Sequence, residues 1–507
     1  MEVLVIGLDG ASMDLIKQWA QEGKLPTFAK LMREGSYGYL ESVIPTLTVP
    51  AWNCLATGKN PGKIGCFGFV QKAYGTYDFR FPSSLVKKAN NIWDILSDHG
   101  KKVFVFNAPN IQYAYKINGY MVAGPLCISE ERLTYPASLR KDLDKINYEG
   151  DINDLYELNR LNDCELSERL KEITEKHFNA LFHFLDKKWD FGFIVFSELD
   201  RVQHRFWERK KILLSHYQNI DRKLKVLLDK LERENGETTV IIVSDHGFGD
   251  NKRIFFINEW LSKRKLLEVR KTSVVKLITV LSSILRKFNL FRIVISVMKL
   301  PILKPLYLYT SQQTEKVDVV WNKTKAFSYG TWGSIYINLS GREPQGVVKE
   351  EEYEQLRSEI IEGLKEISVK AHRREEIYSG EYLKLAPDVI VETDDYVNSI
   401  SSRVFYGKEF REGVGGNHRR INGTFIARGP HIKENFEIKA KIYDIAPTIL
   451  HIFGIPIPKD MDGRVLKEIF KGDLATREIE YQELEENKIF KKRIRERIRE
   501  LKRLRRI

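Results

Sequence analysis

Residues 240–248 read VIIVSDHGF, a run of β-branched residues that ends in an Asp-His-Gly triplet. Helical periodicity precedes it over residues 211–233 and also covers residues 154–188. Three further apolar runs have the same strand-like character, at residues 3–8, 102–106 and 191–196. This alternation predicts βαβ units and a parallel sheet, in which ligands bind at the carboxyl ends of the strands.

Carboxylate and imidazole groups follow two of these strand runs. Asp9 comes directly after the first run, and Asp245 and His246 follow the run that opens this section. Such oxygen and nitrogen donors are the ligands that divalent cations take in proteins. A hydrophobic strand has little structural reason to deliver an aspartate and a histidine side by side, so this pair is a candidate metal ligand set.

Two further segments offer the same donors. Asp200 and His204 lie four residues apart in FSELDRVQH, a spacing that brings both to one face of a helix. His418 lies in the glycine-rich segment GVGGNHRR, where the backbone can approach a ligand closely. Taken singly, an Asp-x-x-x-His pair is more often an ordinary surface or core pair than a metal site.

A candidate nucleophile lies in SVIPTLTVPAWNCLATG, residues 42–58. Thr46 and Thr48 precede Pro50, and a helical segment begins there. Threonine and proline are common at the start of a helix, so Thr48 has a purely structural interpretation as a helix cap. The functional interpretation uses the same position, because a helix N-terminus attracts phosphoryl oxygens and a metal can activate a hydroxyl there.

The order of these motifs resembles the alkaline phosphatase superfamily, and most closely its type I phosphodiesterase/nucleotide pyrophosphatase branch. The resemblance includes ATGKNPGKIG at residues 56–65 and DIAPTILHIFGIPIPKDMDGRVL at residues 444–466, and it covers roughly residues 1–470. It implies an α/β fold, namely a three-layer sandwich with a mostly parallel central sheet and an inserted helical cap. The resemblance departs at Ala51, where nucleotide pyrophosphatases normally carry an asparagine, so it does not imply nucleotide specificity.

The resemblance also implies a two-metal site and a mechanism. One ion would bind Asp200, His204 and His418, and the other Asp9, Asp245 and His246, with the Thr48 oxygen bridging toward it. Thr48 would attack phosphorus and form a phosphothreonine that water then hydrolyses. Three imidazoles favour zinc over magnesium, and manganese is the alternative metal. Thr46 is the rival nucleophile, but only Thr48 is followed by an apolar residue and proline as in the family.

Several functions compete with hydrolysis of a phosphodiester or pyrophosphate. A phosphotransferase, mutase or phosphomonoesterase shares the fold, although mutases of the superfamily usually carry a serine nucleophile. A sulfatase is disfavoured because its Cys/Ser-x-Pro-x-Arg motif is absent around Thr48. A non-catalytic, membrane-associated scaffold is an alternative of another class. The substrate stays open among diesters, nucleotide-sugar pyrophosphates, lipid-linked phosphates and monoesters.

The sequence predicts three parts. Residues 1–260 and 314–470 form the catalytic core, and residues 471–507 form a charged tail. The third part, residues 261–313, is apolar with regular lysine and arginine interruptions, which predicts an amphipathic cap that packs as core, acts as a lid or touches a membrane. The four cysteines are widely spaced and suggest neither a thiolate zinc site nor a disulfide framework.

The charge of the chain is concentrated in its tail. Residues 488–507 carry eleven Lys or Arg and two Glu, a net charge of +9 out of +13, so the rest of the chain does not suggest nucleic-acid binding. An apolar stripe at helical spacing over residues 487–507 predicts an interfacial helix drawn to anionic membrane, or a partner-helix seam in an oligomer. The N-terminal strand leaves no signal peptide, so we expect a cytoplasmic protein, with the inner membrane face as the site of tail contact.

Overall fold

The computed structural model describes residues 1–80, 89–127, 129–151, 161–234, 236–270, 318–330, 332–404 and 407–483. The helices of these residues, in chain order, are α1 (Met13–Gln21), α2 (Pro26–Arg33), α3 (Thr48–Thr57), α4 (Pro61–Ile64), α5 (Ile92–Asp98), α6 (Leu139–Lys145), α7 (Asp163–Leu185), α8 (Glu198–Phe206), α9 (Lys210–Glu234), α10 (Ile257–Lys263), α11 (Glu350–Glu366), α12 (Arg374–Ile377), α13 (Ile445–Phe453) and α14 (Asp473–Thr476).

The strands of the same residues are β1 (Glu2–Leu8), β2 (Ser36–Glu41), β3 (Gln71–Lys72), β4 (Phe79–Arg80), β5 (Val103–Ala108), β6 (Gly119–Ala123), β7 (Thr134–Tyr135), β8 (Phe191–Phe196), β9 (Thr238–Val243), β10 (Gly249–Asp250), β11 (Arg253–Phe256), β12 (Val269–Arg270), β13 (Asp318–Val319), β14 (Ala326–Ser328), β15 (Ser334–Ile337), β16 (Ala371–Arg373), β17 (Val389–Val391), β18 (Ser399–Ser401), β19 (Phe410–Glu412), β20 (Gly416–Asn417), β21 (Asn422–Arg428), β22 (Phe436–Lys441), β23 (Ile457–Pro458) and β24 (Tyr481–Gln482).

A nine-stranded sheet forms the centre of the fold, in the order β22-β2-β21-β9-β1-β8-β5-β6-β7. The five neighbours β9, β1, β8, β5 and β6 run parallel to one another. β21 is inserted antiparallel between β2 and β9. The three central strands β9, β1 and β8 therefore end at the same edge of the sheet, side by side.

Helices cover both faces of this sheet. Successive residues of a strand point to opposite faces, and β1 shows the consequence: Leu4 and Ile6 pack with α1, α2, α7 and α9, whereas Val3 and Val5 pack with α3, α5 and α13. A sheet buried on both faces needs continuous apolar strands, which explains the unbroken β-branched runs of the sequence. The predicted three-layer α/β sandwich with a mostly parallel sheet is confirmed.

A separate hydrophobic cluster lies beside the sandwich. Strands β14, β15, β17 and β16 form an antiparallel sheet, and α11 packs on it through Leu356, Ile360 and Leu364. Trp260 of α10 is fully buried in the same cluster. A three-stranded sheet, β18-β11-β19, adjoins this cluster through Phe255 and Ile400.

Two predicted parts of the chain fall largely outside the described residues. Of the predicted cap at 261–313, the structure describes only residues 261–270, and of the predicted tail at 471–507 only residues 471–483. Those tail residues contain α14, and β24 pairs with β23. The division into domains stays a prediction. Within the described ranges, no helix has both the length and the apolar character that a bilayer crossing requires.

Candidate metal centre

Seven residues singled out in the sequence come together at the carboxyl edge of the central sheet. Asp9 follows β1, Asp245 and His246 follow β9, and Asp200 and His204 lie on α8, which begins directly after β8. His418 follows β20, whose pairing with β10 brings the glycine-rich segment to the same edge. Thr48 is the first residue of α3. The parallel order of β9, β1 and β8 therefore accounts for most of the convergence.

Asp9, Asp245 and His246 form a fully buried triad, hereafter the inner triad, whose ligand atoms lie within 4.8 Å of one another. One polar atom of each side chain is held by the protein. Trp52 Nε1 donates to Asp9 Oδ2 at 3.3 Å, the Gly10 amide donates to Asp245 Oδ1 at 3.1 Å, and His246 Nδ1 donates to the Gly247 carbonyl at 3.1 Å.

The other polar atom of each inner-triad residue has no hydrogen-bond partner among the described residues. These atoms are Asp9 Oδ1, Asp245 Oδ2 and His246 Nε2. The Nε2 atom lies 3.2 Å from Asp245 Oδ2 and 3.8 Å from Asp9 Oδ1. Buried polar atoms without a partner are rare in native proteins, so three that converge indicate a ligand, and their donor types fit a divalent cation.

The electrostatics of the inner triad also favour a bound cation. Burial raises the pKa of Asp9 well above its usual range, and the charges of Asp245 and Asp200 raise it further. Burial also raises the pKa of Asp245 to about 7. Burial holds the pKa of His246 well below its ordinary value, so this imidazole is neutral and has a free lone pair. Burying two carboxylates without a compensating positive charge costs free energy of desolvation. A bound cation would supply that positive charge.

Asp200, His204 and His418 form the outer triad. The Nε2 atoms of His204 and His418 lie 3.0 Å apart. Asp200 Oδ1 lies 2.7 Å from His418 Nε2 and 3.4 Å from His204 Nε2. Ligands of a tetrahedral zinc ion with bonds of about 2.0–2.1 Å lie roughly 3.3 Å from one another, so the spacing fits such an ion. His204 Nδ1 donates to the Gly416 carbonyl at 3.0 Å, which leaves Nε2 free for a metal.

The outer triad differs from the inner one in exposure and charge. The His204 side chain is 40% exposed, whereas that of His246 is fully buried. Burial acts to raise the pKa of Asp200, but the adjacent His204 and His418 outweigh it and hold this pKa well below its usual range. The outer triad is thus the more solvent-exposed of the two.

The two triads adjoin each other and a cavity. The rings of His246 and His418, one from each triad, stack with centroids 3.7 Å apart. A cavity of about 240 Å³ is lined by Asp9, the whole outer triad and both Thr46 and Thr48. Asp9 and the outer triad therefore face a space that holds a small ligand next to the candidate nucleophile.

The two threonines have different surroundings. The Thr46 hydroxyl donates to the carbonyl of His418, which ties it to the outer triad. The cap position of α3 is Leu47, which makes no side-chain cap bond, and no hydrogen bond of the Thr48 hydroxyl occurs among the described residues. The capping role considered for Thr48 is therefore wrong, because Thr48 lies one residue inside the helix. Thr48 lines the cavity.

Sequence reasoning missed several residues of the site. Trp52, which holds Asp9, lies one helical turn beyond Thr48. Ser197, Asp151 and Arg201 also line the cavity, as do the aromatic residues Phe69 and Trp332. Ser197 and Arg201 flank the Asp-x-x-x-His motif and could have been found from it. Asp151, Phe69 and Trp332 carry no local signal, because only the tertiary fold brings them to the cavity.

Comparisons with known proteins give one family and several structures. A family model described as type I phosphodiesterase/nucleotide pyrophosphatase matches residues 3–404. Murine and human ectonucleotide pyrophosphatase/phosphodiesterase 5 each align with a TM-score of 0.53 at 14% identity, over 93% of this chain and 100% of theirs. No curated protein matches the sequence.

A further structure is that of an inactive threonine-to-alanine variant of the murine protein in complex with AMP. It aligns with a TM-score of 0.50 at 14% identity, over 90% of this chain and 95% of that chain. At this level of identity the likeness concerns the fold. The predicted alkaline-phosphatase-like architecture is thereby confirmed.

Proposed function

The chain belongs to the type I phosphodiesterase/nucleotide pyrophosphatase family, and we propose that it hydrolyses phosphodiester or pyrophosphate bonds with Thr48 as nucleophile and two divalent cations as cofactors. The observation that carries the proposal is that two adjoining three-residue ligand sets lie next to a cavity lined by Asp9, the outer triad and Thr48. Metal ligation by these six side chains and the role of Thr48 are parts of the proposal.

The side chains of the two triads would hold one cation each. Bound there, the cations would supply positive charge that acidifies the nucleophilic hydroxyl and offsets the charge of the phosphoryl oxygens. Zinc is the ion we propose, because three of the six ligands are imidazoles, and manganese is the alternative. Neutral His246, with its proton fixed on Nδ1 by the Gly247 carbonyl, is oriented for ligation through Nε2.

The residues of the chain would carry the reaction in two steps. Thr48 loses its proton and its oxygen attacks phosphorus, while the bond from phosphorus to the leaving oxygen breaks and the departing group takes up a proton. Water then attacks the phosphothreonine, which releases phosphate or a phosphomonoester and restores the hydroxyl. The start of α3 contributes as well, because its unpaired amide groups attract phosphoryl oxygens.

The test is a comparison of Thr48→Ala with Thr46→Ala. Turnover of an aryl phosphodiester by Thr48→Ala should fall by roughly a thousandfold or more, as expected for loss of a nucleophile. Metal content and the unfolding temperature should change little, since Thr48 caps no helix. Mass spectrometry of acid-quenched wild-type enzyme should find the arylphosphoryl group of this substrate on Thr48.

Thr46→Ala is the matched control. It removes the hydrogen bond to the carbonyl of His418 and should disturb the outer triad without removing the phosphoenzyme. Near-normal activity of Thr48→Ala together with an inactive, phosphate-free Thr46→Ala would reverse the assignment of the nucleophile. The murine neighbour that is inactive with alanine in place of a threonine, and that binds AMP, supports the same experiment with nucleotide substrates.

A further inference from the structure

One aromatic side chain packs beside all three imidazoles of the two triads. The centroid of the Phe248 ring lies 4.9 Å from that of His204 and 5.3 Å from that of His418. It lies 6.3 Å from the centroid of His246, which precedes it by two positions. Phe248 is 2% exposed and does not line the cavity beside Thr48. Its contacts with the triads therefore need an explanation other than substrate binding.

The Phe248 ring meets the two outer-triad imidazoles edge to face. The angle between the ring planes is 77° with His204 and 64° with His418. Such T-shaped pairs, at centroid separations of about 4.5–7 Å, are a favourable arrangement of rings. The angle with His246 is 43°, and its greater distance makes that contact the loosest of the three. Phe248 therefore acts mainly on the outer triad.

An imidazole ligand needs more than one contact to fix its ring plane. The torsion that turns the ring about its bond to Cβ has broad minima. His204 has a hydrogen-bond anchor from Nδ1 to the Gly416 carbonyl at 3.0 Å, but a ring held at one atom can still tilt. A tetrahedral ion requires each ligand to aim its lone pair at the metal. The contact with the Phe248 ring restricts this tilt.

The same ring also packs against backbone that adjoins the ligands. A Cβ atom added to Gly416 would lie 2.6 Å from Phe248 Cε1, and one added to Gly10 would lie 3.1 Å from Cδ2. Gly416 supplies the carbonyl that orients His204, and Gly10 follows Asp9. Both glycines thus leave room for the ring, and the backbone fits closely around it.

The ring itself is held in place from another side. Trp207, the residue after α8, packs on Phe248 with centroids 5.6 Å apart, and Lys210 Nζ lies 3.8 Å from the centroid of the Trp207 ring. Trp207 is 9% exposed. A buried ring with close neighbours on several sides has little freedom to move, because protein interiors are close-packed. Phe248 is therefore a fixed wall against which the imidazoles rest.

We propose that Phe248 is a positioning residue that holds the ring planes of His204 and His418 and thereby sets the affinity of the outer ion. The inference rests on the proposed function for the binding of zinc by the outer triad. The inner ion depends less on Phe248, because His246 lies farther from the ring and its Nδ1 is fixed by the Gly247 carbonyl.

Zinc titration of the full-length protein, in competition with a chromophoric chelator, measures each ion by itself in a single-site protein. Asp245→Asn leaves the outer triad intact, and His418→Ala leaves the inner triad intact. Phe248→Leu keeps an apolar side chain but removes the flat ring. Added to Asp245→Asn, it should weaken zinc binding by about tenfold or more, as loss of contacts that orient metal ligands does. Added to His418→Ala, it should change the affinity far less.

Phe104→Leu is the matched control for loss of a buried ring. Phe104 is also 2% exposed and also packs on a tryptophan, Trp189, with centroids 5.6 Å apart. Its other described ring neighbour is Phe184, so its contacts lie away from the triads. Phe104→Leu should lower the unfolding temperature about as much as Phe248→Leu does, but it should leave the zinc affinity of both single-site proteins unchanged.

The outcomes separate this inference from the proposed function. Equal weakening of both ions by Phe248→Leu, an unweakened outer ion, or the same loss from Phe104→Leu would overturn the positioning role. Selective weakening of the outer ion in a protein that hydrolyses no diester or pyrophosphate would instead overturn the proposed activity alone. A wild type that binds no zinc would overturn the proposed metal site and this inference with it. Circular dichroism shows whether each variant is folded, and Phe248→Met, which also lacks a ring, decides the question if Phe248→Leu is not.

Discussion

Asp245 and His418 are close in space but belong to different ligand triads, and this allows the two ions to be removed separately. The wild-type protein should carry about two equivalents of metal per chain, as a two-metal mechanism requires. Asp245→Asn should lose the inner ion and His418→Ala the outer one, so that each variant keeps about one equivalent. Elemental analysis after dialysis measures both.

A histidine outside the cavity provides the control for these variants. His451 is buried and donates to the Leu474 carbonyl at 2.9 Å, so His451→Gln should keep both ions. Loss of both ions from each single variant would show one cooperative site in place of two. A clean, active preparation of the wild type with a single equivalent would contradict the two-metal mechanism itself.

His216 gives the protein a pH dependence of stability that is independent of the metals. Burial lowers the pKa of His216 to about 4, and its Nε2 lies 3.0 Å from Ser167 Oγ. Because the unfolded state then takes up the proton more readily, stability is complete above pH ~6.5 and is lost as the pH falls toward ~4. The largest loss from this one group is roughly 3 kcal/mol.

Urea unfolding at about pH 7 and about pH 5 measures this effect. The wild type should lose more stability over this interval than His216→Gln, which keeps a hydrogen-bonding side chain but does not titrate. The difference in unfolding free energy between the wild type and His216→Gln should therefore become smaller at acid pH. Parallel losses in both would show that other groups control the acid response.

At the scale of elements, the glycine-rich segment before His418 is held against α8 in a way that only glycine allows. Gly415 has φ +76°, and a Cβ atom there would lie 2.4 Å from the His204 carbonyl oxygen. Gly415→Ala should therefore push the segment away from α8 and weaken the outer triad. We expect loss of the outer ion and a destabilisation of more than the ~1–2 kcal/mol that a left-handed conformation costs by itself.

Gly341→Ala separates backbone strain from the clash. Gly341 has φ +79°, but a Cβ atom would meet nothing within 4 Å. It should cost only about 1–2 kcal/mol and leave the metal content unchanged. Thermal unfolding and elemental analysis of both variants distinguish the two effects. Equal metal loss in both would mean that the segment does not depend on contact with α8.

The elements that were predictable from sequence are those whose buried apolar residues recur at a regular spacing along the chain. The run at 191–196 is β8 (Phe191–Phe196), and the pattern at 211–233 falls within α9 (Lys210–Glu234). Both are controlled by local periodicity, which a single sequence displays. Sheet order is different, because β21 (Asn422–Arg428) enters between β2 and β9, which lie far from it in the chain, and no local sequence pattern predicts this placement.

The residues of the candidate site likewise fall into those with a local sequence signal and those that only tertiary contacts bring to the site. Asp9, Asp245 and Asp200 could be predicted because each follows an apolar strand of a parallel block, whose ends meet at one edge. Asp151 could not, since its meeting with Arg201 joins residues 50 positions apart through a tertiary contact. The orphaned Ser197 hydroxyl was equally hidden, because serine before a helix is normally explained as a cap.

At the scale of the whole molecule, the cavity lies where the sandwich meets the smaller cluster. Thr48 and both triads belong to the sandwich or its edge, whereas Trp332 and Thr393 come from the chain of the smaller unit. Residues of both units therefore line the space in which we propose that the substrate binds. Trp332 is one point of contact between the two, since its ring packs on Phe69 with centroids 5.7 Å apart.

The distribution of charge leads to the last prediction. Residues 488–507 carry a net charge of +9, and they lie outside the described residues. Near an anionic bilayer each basic residue contributes about 1 kcal/mol of attraction, which salt screens. We expect the full-length protein to sediment with anionic vesicles at low salt and to remain in the supernatant with neutral ones.

A chain that ends at Glu485 should lose this binding and keep its metal content and aryl phosphodiesterase activity, because the residues we propose for catalysis lie elsewhere. High salt should release the full-length protein from the vesicles, since surface charge drives the contact. Equal sedimentation of both chains would exclude the tail from membrane contact. Self-association that is insensitive to salt and is lost on truncation would instead identify the apolar stripe as an oligomer seam, because burial of apolar side chains depends little on ionic strength.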